Sequence, residues 1–100
     1  MSDYAKIVYP RITKGYAKSL IAEEQIVVNA EMCVVICMVR LNNGHRLVTD
    51  AIVANSGLFD AARGTQIARD KMISKIMELE MYQMRTRLHD ERTKEVTDVD

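Results

Sequence analysis

The run Met32-Cys33-Val34-Val35-Ile36-Cys37-Met38-Val39-Arg40-Leu41, followed by Asn42-Asn43-Gly44-His45 and then Arg46-Leu47-Val48-Thr49-Asp50-Ala51-Ile52-Val53-Ala54, constrains the fold more than any other stretch. Two β-branched, apolar segments flank an Asn-Gly dipeptide, the strongest short-range signal for a hairpin, because a type I′ turn needs positive φ at both central residues. Such a turn at Asn43-Gly44 predicts Leu41 opposite Arg46, Val39 opposite Val48 and Val35 opposite Ile52. One face then carries Cys33, Val35, Cys37, Val39, Val48 and Ile52, the other Val34, Ile36, Met38, Leu47 and Val53. Neither face is polar. A two-stranded hairpin is marginal by itself in water, so both faces are expected to be covered by helices or by another subunit.

Upstream, residues 1–12 read as an extended segment that Pro10 closes. Thr13 reads as the N-cap of a short helix over about residues 13–25, in which Tyr16, Leu20 and Ile21 share one face. Downstream, Asn55 or Ser56 is expected to cap a long helix beginning near Leu58. One apolar stripe runs through Phe59, Ala62, Ile67, Ile73, Met77, Met81, Met84 and Leu88, a second through Ala68, Met72, Ile76, Leu79 and Tyr82. A helix apolar nearly all round is buried on more than one side, and one 100-residue chain offers little other protein to cover it. Gly64 in the early turns marks a kink or a close helix contact. Residues 89–100 are charged and aperiodic and are expected to fray as a tail.

The fold class predicted is therefore α+β: a short N-terminal helix, a two-stranded antiparallel hairpin and a long kinked C-terminal helix. Residues 13–88 form the single domain, assembled as a homo-oligomer through the hairpin faces and the Met-rich helix.

Fourteen Lys and Arg balance fourteen Asp and Glu, which argues against a general nucleic-acid binder. The neutrality is patterned: residues 1–18 and 63–88 are each net +3, and residues 19–62 and 89–100 are each net −3. The eight-residue apolar run Met32–Val39 is too short for a membrane span, and the first residues lack the apolar stretch of a signal peptide. Cys33 and Cys37 on one strand face stand roughly 13 Å apart, beyond disulfide reach, and read as small buried hydrophobes. His45 and His89 add too few ligands for a metal site. No nucleophile–base arrangement and no phosphate-binding glycine loop is present, so the expectation is a binding or interaction module and not an enzyme, with no cofactor.

Leu41-Asn42-Asn43-Gly44, then Phe59-Asp60, Gly64, Ile67-Ala68, Ile76 and Tyr82, resembles a family of small tailed-phage gene products with the pattern LKNGF…F(D/N)xxxGxxxAxxxAxxxIWxxxGY. Pro10-Arg11-Ile12-Thr13, with Ile21 and Glu24, resembles that family's PRVTxxxIxxxI opening. The resemblance covers about residues 10–88. Three departures stand out: His45 replaces an aromatic, a Gly-x-Ser-x-Cys stretch is absent, and Met77 occupies the position of the family's Trp.

The same pattern is similar to phage anti-CBASS sponges, which sequester the cyclic oligonucleotides of bacterial anti-phage defence without cleaving them. That resemblance implies a homohexamer in the host cytoplasm whose partners are cyclic di- or trinucleotides, with no metal, membrane or DNA. The runner-up reading is a phage accessory protein that binds and modulates a host protein. The ligand-binding residues expected on chemical grounds fall in two groups. Tyr16 with Lys14 and Lys18 supplies a stacking face and two cations; Arg63, Arg69 and Lys71 supply a second basic cluster.

Overall fold

The computed structural model describes residues 11–99. Their order is a short helix α1 (Lys14–Ser19), strands β1 (Ile21–Asn29), β2 (Val34–Leu41) and β3 (Arg46–Ile52), a 3-10 turn (Ser56–Leu58) and a long helix α2 (Ala61–Val99). The strands form one antiparallel sheet in the order β1-β2-β3. The fold is α+β, but the expected two-stranded hairpin is corrected to three strands.

The missing strand begins inside the helix expected over 13–25 and runs past it to Asn29. Thr13 does cap α1, its Oγ1 accepting from the Tyr16 N–H at 3.0 Å, but the helix ends at Ser19. Ala22-Glu23-Glu24-Gln25 consists of good helix formers, and pairing with β2 overrides that weak local preference. The β-branched Ile26-Val27-Val28 that follows is the local strand signal. Of the predicted extended segment 1–12, residues 1–10 lie outside the described residues, and Arg11 to Thr13 adopt no regular structure.

The hairpin exists, with a different turn and register. Gly44 is at φ 91°, whereas Asn43 is not among the positive-φ residues, so the type I′ geometry fails. The Gly44 N–H donates to Leu41 O at 2.9 Å and the Leu41 N–H to His45 O at 2.8 Å. Asn42, Asn43 and Gly44 thus form a three-residue loop with glycine in the left-handed position. Val39 stands opposite Leu47 and Val35 opposite Ala51, one residue away from the predicted pairing. A one-residue slip moves every β3 side chain to the other face: Leu47 and Ala51 are buried, and Val48 and Ile52 are 56% and 69% exposed.

Helix α2 crosses the buried face. The core unites Val35, Cys37, Val39 and Leu41 of β2, Leu47 and Ala51 of β3, Ala17 of α1, and Ala68, Met72, Ile73 and Ile76 of α2. Asp60, not Asn55 or Ser56, caps this helix: its Oδ1 accepts from the N–H groups of Ala62 and Arg63 at 3.0 and 3.2 Å. Asn55 caps the 3-10 turn instead, its Oδ1 accepting from Gly57 N–H. Of the two roles open to Gly64, a close contact is the one the geometry displays, since a Cβ there would lie 2.7 Å from Val35 Cγ2. The helix is unbroken past Gly64 and continues through the expected tail as far as Val99. At 1.5 Å per residue it spans roughly 58 Å and accounts for the 65 Å long dimension. It outruns the sheet, and Met81 and Tyr82 are exposed.

Cys33 and Cys37 are buried free thiols. Burial pushes the Cys37 thiol pKa up, and the neighbouring Glu24 carboxylate adds to the shift. Among the described residues no helix is long and apolar enough to cross a membrane, and no group of three or more His, Cys, Asp or Glu is placed to hold a metal ion.

Candidate binding site

The end of α1, the hairpin loop and the middle of α2 meet at one place. Leu20, the C-cap of α1, offers its carbonyl to the Asn42 N–H at 2.9 Å, while Asn42 Nδ2 donates to Ser19 O at 3.2 Å. Asn42 thereby satisfies carbonyls that a helix end leaves without partners and fixes α1 to the loop. From the other side, Tyr16 Oη donates to Glu80 Oε1 at 3.2 Å, tying α1 to α2.

These contacts frame a cleft of about 360 Å³ with an apolar floor of Leu20, Leu41, Ile76 and Leu79. Asn42, Asn43, His45, Glu80 and Gln83 form its polar rim. Asn43 is oriented by its Oδ1 accepting from the His45 N–H at 3.0 Å. The hydrogen bond to Glu80, together with that carboxylate's charge, raises the Tyr16 pKa. Amide, imidazole and carboxylate groups above an apolar floor suit a flat heteroatom-bearing ligand, because each supplies directional donors or acceptors at the edge of a stacking surface.

The six residues expected to bind ligand fall on two helices: the first three share α1, and the second three spread around α2. Tyr16 reaches the cleft through Glu80, with Lys14 and Lys18 exposed on the same short helix. Tyr16 itself is 46% exposed and is not core. Arg63, Arg69 and Lys71 diverge around α2. Arg63 sits exposed in its first turn. Arg69 reaches β1, where Nη2 and Nε lie 2.7 and 3.1 Å from Glu24 Oε1. Lys71 reaches the opposite edge, donating to Asp50 O on β3 at 2.8 Å. The Glu24 carboxylate raises the Arg69 pKa still further. Glu23 and Glu24, within the span expected to be helical, lie on β1, and both carboxylates are in ion pairs, Glu23 with Arg40 at 3.5 Å.

A larger open groove, about 660 Å³, lies between β3 and α2. Lys71 and Lys75 line it, but so do Asp50, Asp70 and Glu78. Their mixed charge is a poor cradle for phosphate.

The model of the phage protein (N4 Gp49/phage Sf6 gene 66) family matches residues 12–88. The chain belongs to that family. The match to this N4 Gp49/Sf6 gene 66 family takes in α1, the whole sheet and α2 through Leu88, so both the cleft and the groove lie within it. No curated protein and no solved structure matches the chain.

The rim residues Asn42, Asn43, His45, Glu80 and Gln83 were not among the residues singled out from sequence. Asn42-Asn43-Gly44-His45 did stand out, but as a turn. Only the docking of α1 and α2 against that turn makes it a wall of a cleft. Glu80 and Gln83 carry no signal separating them from other polar helix positions.

Proposed function

We propose that this phage protein is a non-enzymatic binding protein that sequesters cyclic di- or trinucleotides of bacterial anti-phage defence in the host cytoplasm. The observation that carries the reading is the cleft: an apolar floor ringed by Asn42, Asn43, His45, Glu80 and Gln83, with Tyr16 tied to its rim through Glu80. In this reading the amides and the imidazole read base edges, Leu20 and Leu79 receive a base face, and phosphate is left to Lys14 and Lys18, exposed on α1 outside the cleft lining. The sequence resemblance to anti-CBASS sponges supplies the ligand class. A homohexamer would join such clefts in symmetric sets.

Isothermal calorimetry with cyclic di- and trinucleotides tests this. The expected result is binding well below 100 µM, weakened by His45→Ala and Gln83→Ala, with the nucleotide recovered intact after heat release. Absence of heat for every ligand at about 100 µM, roughly −5.5 kcal/mol, overturns it.

A second reading, a phage accessory protein that binds a host protein, is favoured by a different observation. On the sheet face away from α2, Val27, Val48 and Ile52 are 41%, 56% and 69% exposed, an apolar patch of the kind that marks protein contacts. Recovery of a stoichiometric host protein with nucleotide-free chain would favour that reading.

A further inference from the structure

The two edges of the sheet are treated differently. Two hydrogen bonds establish which backbone groups point off each edge. The Leu41 N–H donates to His45 O, and the Val53 N–H donates to Cys33 O. Odd-numbered positions of β2 therefore turn their polar groups toward β3, and even-numbered positions turn theirs toward β1. Opposite those even positions stand Gln25 (with Met38), Val27 (with Ile36) and Asn29 (with Val34). The intervening residues of β1, namely Glu24, Ile26 and Val28, direct their N–H and C=O groups away from the sheet.

The same alternation points Val48 and Asp50 off the β3 edge, and there the carbonyls are capped. Lys75 Nζ lies 3.5 Å from Val48 O and Lys71 Nζ 2.8 Å from Asp50 O. Lysines laid over an edge are a recognised means of stopping another strand from pairing with it. On β1, no lysine among the described residues is laid over the carbonyls of Glu24, Ile26 or Val28, and no strand among them lies beyond β1. It is also the longest strand, Ile21–Asn29, and contains neither Pro nor Lys.

We propose that β1 pairs antiparallel with β1 of a second copy of this chain, joining two sheets into one across a two-fold axis at Ile26. Ile26 then faces Ile26, and Glu24 of each copy faces Val28 of the other, so all three outward-pointing residues of each strand are used. A second copy is the occupant this register fits, because the outward-pointing residues are self-complementary about Ile26 and the acidic groups of the strand are already paired within the chain. Glu23 and Glu24 would make two β1 strands repel, but Arg40 and Arg69 of the same chain neutralise them at 3.5 and 2.7 Å. No like-charged pair stands directly across the junction. Helix α2 packs chiefly over β2 and β3, which leaves Val28 45% exposed at the edge for the other strand to cover. The inference shares no residue with the cleft and stands or falls separately from the nucleotide reading. It puts the two-fold contact at the β1 edge, not at the hairpin faces and Met-rich helix expected from sequence.

The test is sedimentation equilibrium or light scattering on the full chain across about 1–100 µM. The wild type is expected as an even-numbered assembly. Val28→Pro removes an N–H that β2 does not use, a position where an edge strand tolerates proline. It should raise the dissociation constant at least tenfold with unchanged far-UV circular dichroism. If Val28→Pro fails to fold, Val28→Asp sets like charges opposite Glu24 twice per junction and should weaken association by a similar factor. A wild-type monomer at 100 µM, or association unaffected in the folded variant, overturns the proposal. So does a chain that associates only after residues 1–10 are removed, because its own N-terminal segment would then be the occupant of the edge.

Discussion

Replacing Gly64 with alanine tests how closely α2 lies on the sheet. At an ordinary exposed helix position the change stabilises by about 1 kcal/mol, because alanine is the better helix former. At Gly64 the added Cβ would come 2.7 Å from Val35 Cγ2 and 3.5 Å from Val35 Cβ. Val35 is fully buried and β-branched, so its side chain has little freedom to turn away. Forcing a methyl into such a contact typically costs about 1–3 kcal/mol. The propensity gain is reduced in the first turn of a helix, and the net expectation is a loss of about 1–2 kcal/mol, a Tm decrease of several degrees for a chain of this size.

Urea denaturation at one fixed protein concentration measures this, since self-association shifts apparent stability. Val35→Ala alone should cost about 2 kcal/mol through lost burial and the cavity left behind. In the double variant the methyl introduced by Gly64→Ala enters that space, so the combined loss should fall short of the sum by about 1 kcal/mol or more. Stabilisation by Gly64→Ala, or strict additivity with Val35→Ala, would refute the close approach.

Gly44→Ala meets no steric obstacle, with nothing within 4 Å, but places a side chain at φ 91°; it should cost about 1 kcal/mol in thermal or urea unfolding, and Gly44→Asn less. Asp60→Ala removes the acceptor of two helix N–H groups and should cost about 1 kcal/mol by the same assay. Tyr16 donates to Glu80 and its pKa is raised, so the protonated phenol is the form the fold favours. Its contribution is complete below pH about 10 and is lost as pH rises through the higher folded value; the ultraviolet titration difference between wild type and Tyr16→Phe should place this phenol above its ordinary range, and Glu80→Gln should bring it earlier. Cys37 is fully buried with a raised pKa, so native protein should react with a thiol reagent far more slowly than urea-unfolded protein.

How far the fold was legible can be traced to individual residues. Val34 to Leu41 and Leu47 to Ile52 announce strands through β-branching, and α2 announces itself through overlapping apolar stripes. The register hung on a single dihedral angle: Asn43-Gly44 serves a two-residue I′ loop or a three-residue loop with only glycine at positive φ. Composition does not separate the two, and the choice decides whether Val48 and Ile52 or Leu47 and Ala51 enter the core. Strand β1 was hidden for a different reason. On an edge strand lying beyond the main footprint of α2, neither face must be apolar, so Ala22-Glu23-Glu24-Gln25 shows no alternation. Its charges read as a helix surface until Arg40 and Arg69 are seen to meet them.

The candidate site was less legible because the residues that stand out in the sequence serve the framework, including those that also line the cleft, Leu41, Asn42, Asn43 and Ile76. Gly44 takes the left-handed turn position, Asp60 caps α2, Gly64 permits contact with Val35, and Ala68 and Ile76 are fully buried. Each of these is demanded by the fold whatever the cleft holds. His45, one of the departures from the resembled pattern, lines the cleft, whereas Met77, another of them, packs half-buried against the core. Met77 therefore adjusts packing and His45 adjusts chemistry. If family members differ in what they bind, position 45 is the first place for that difference to be written, and exchanging His45 for an aromatic residue should alter ligand choice while leaving the unfolding midpoint within about 0.5 kcal/mol of wild type.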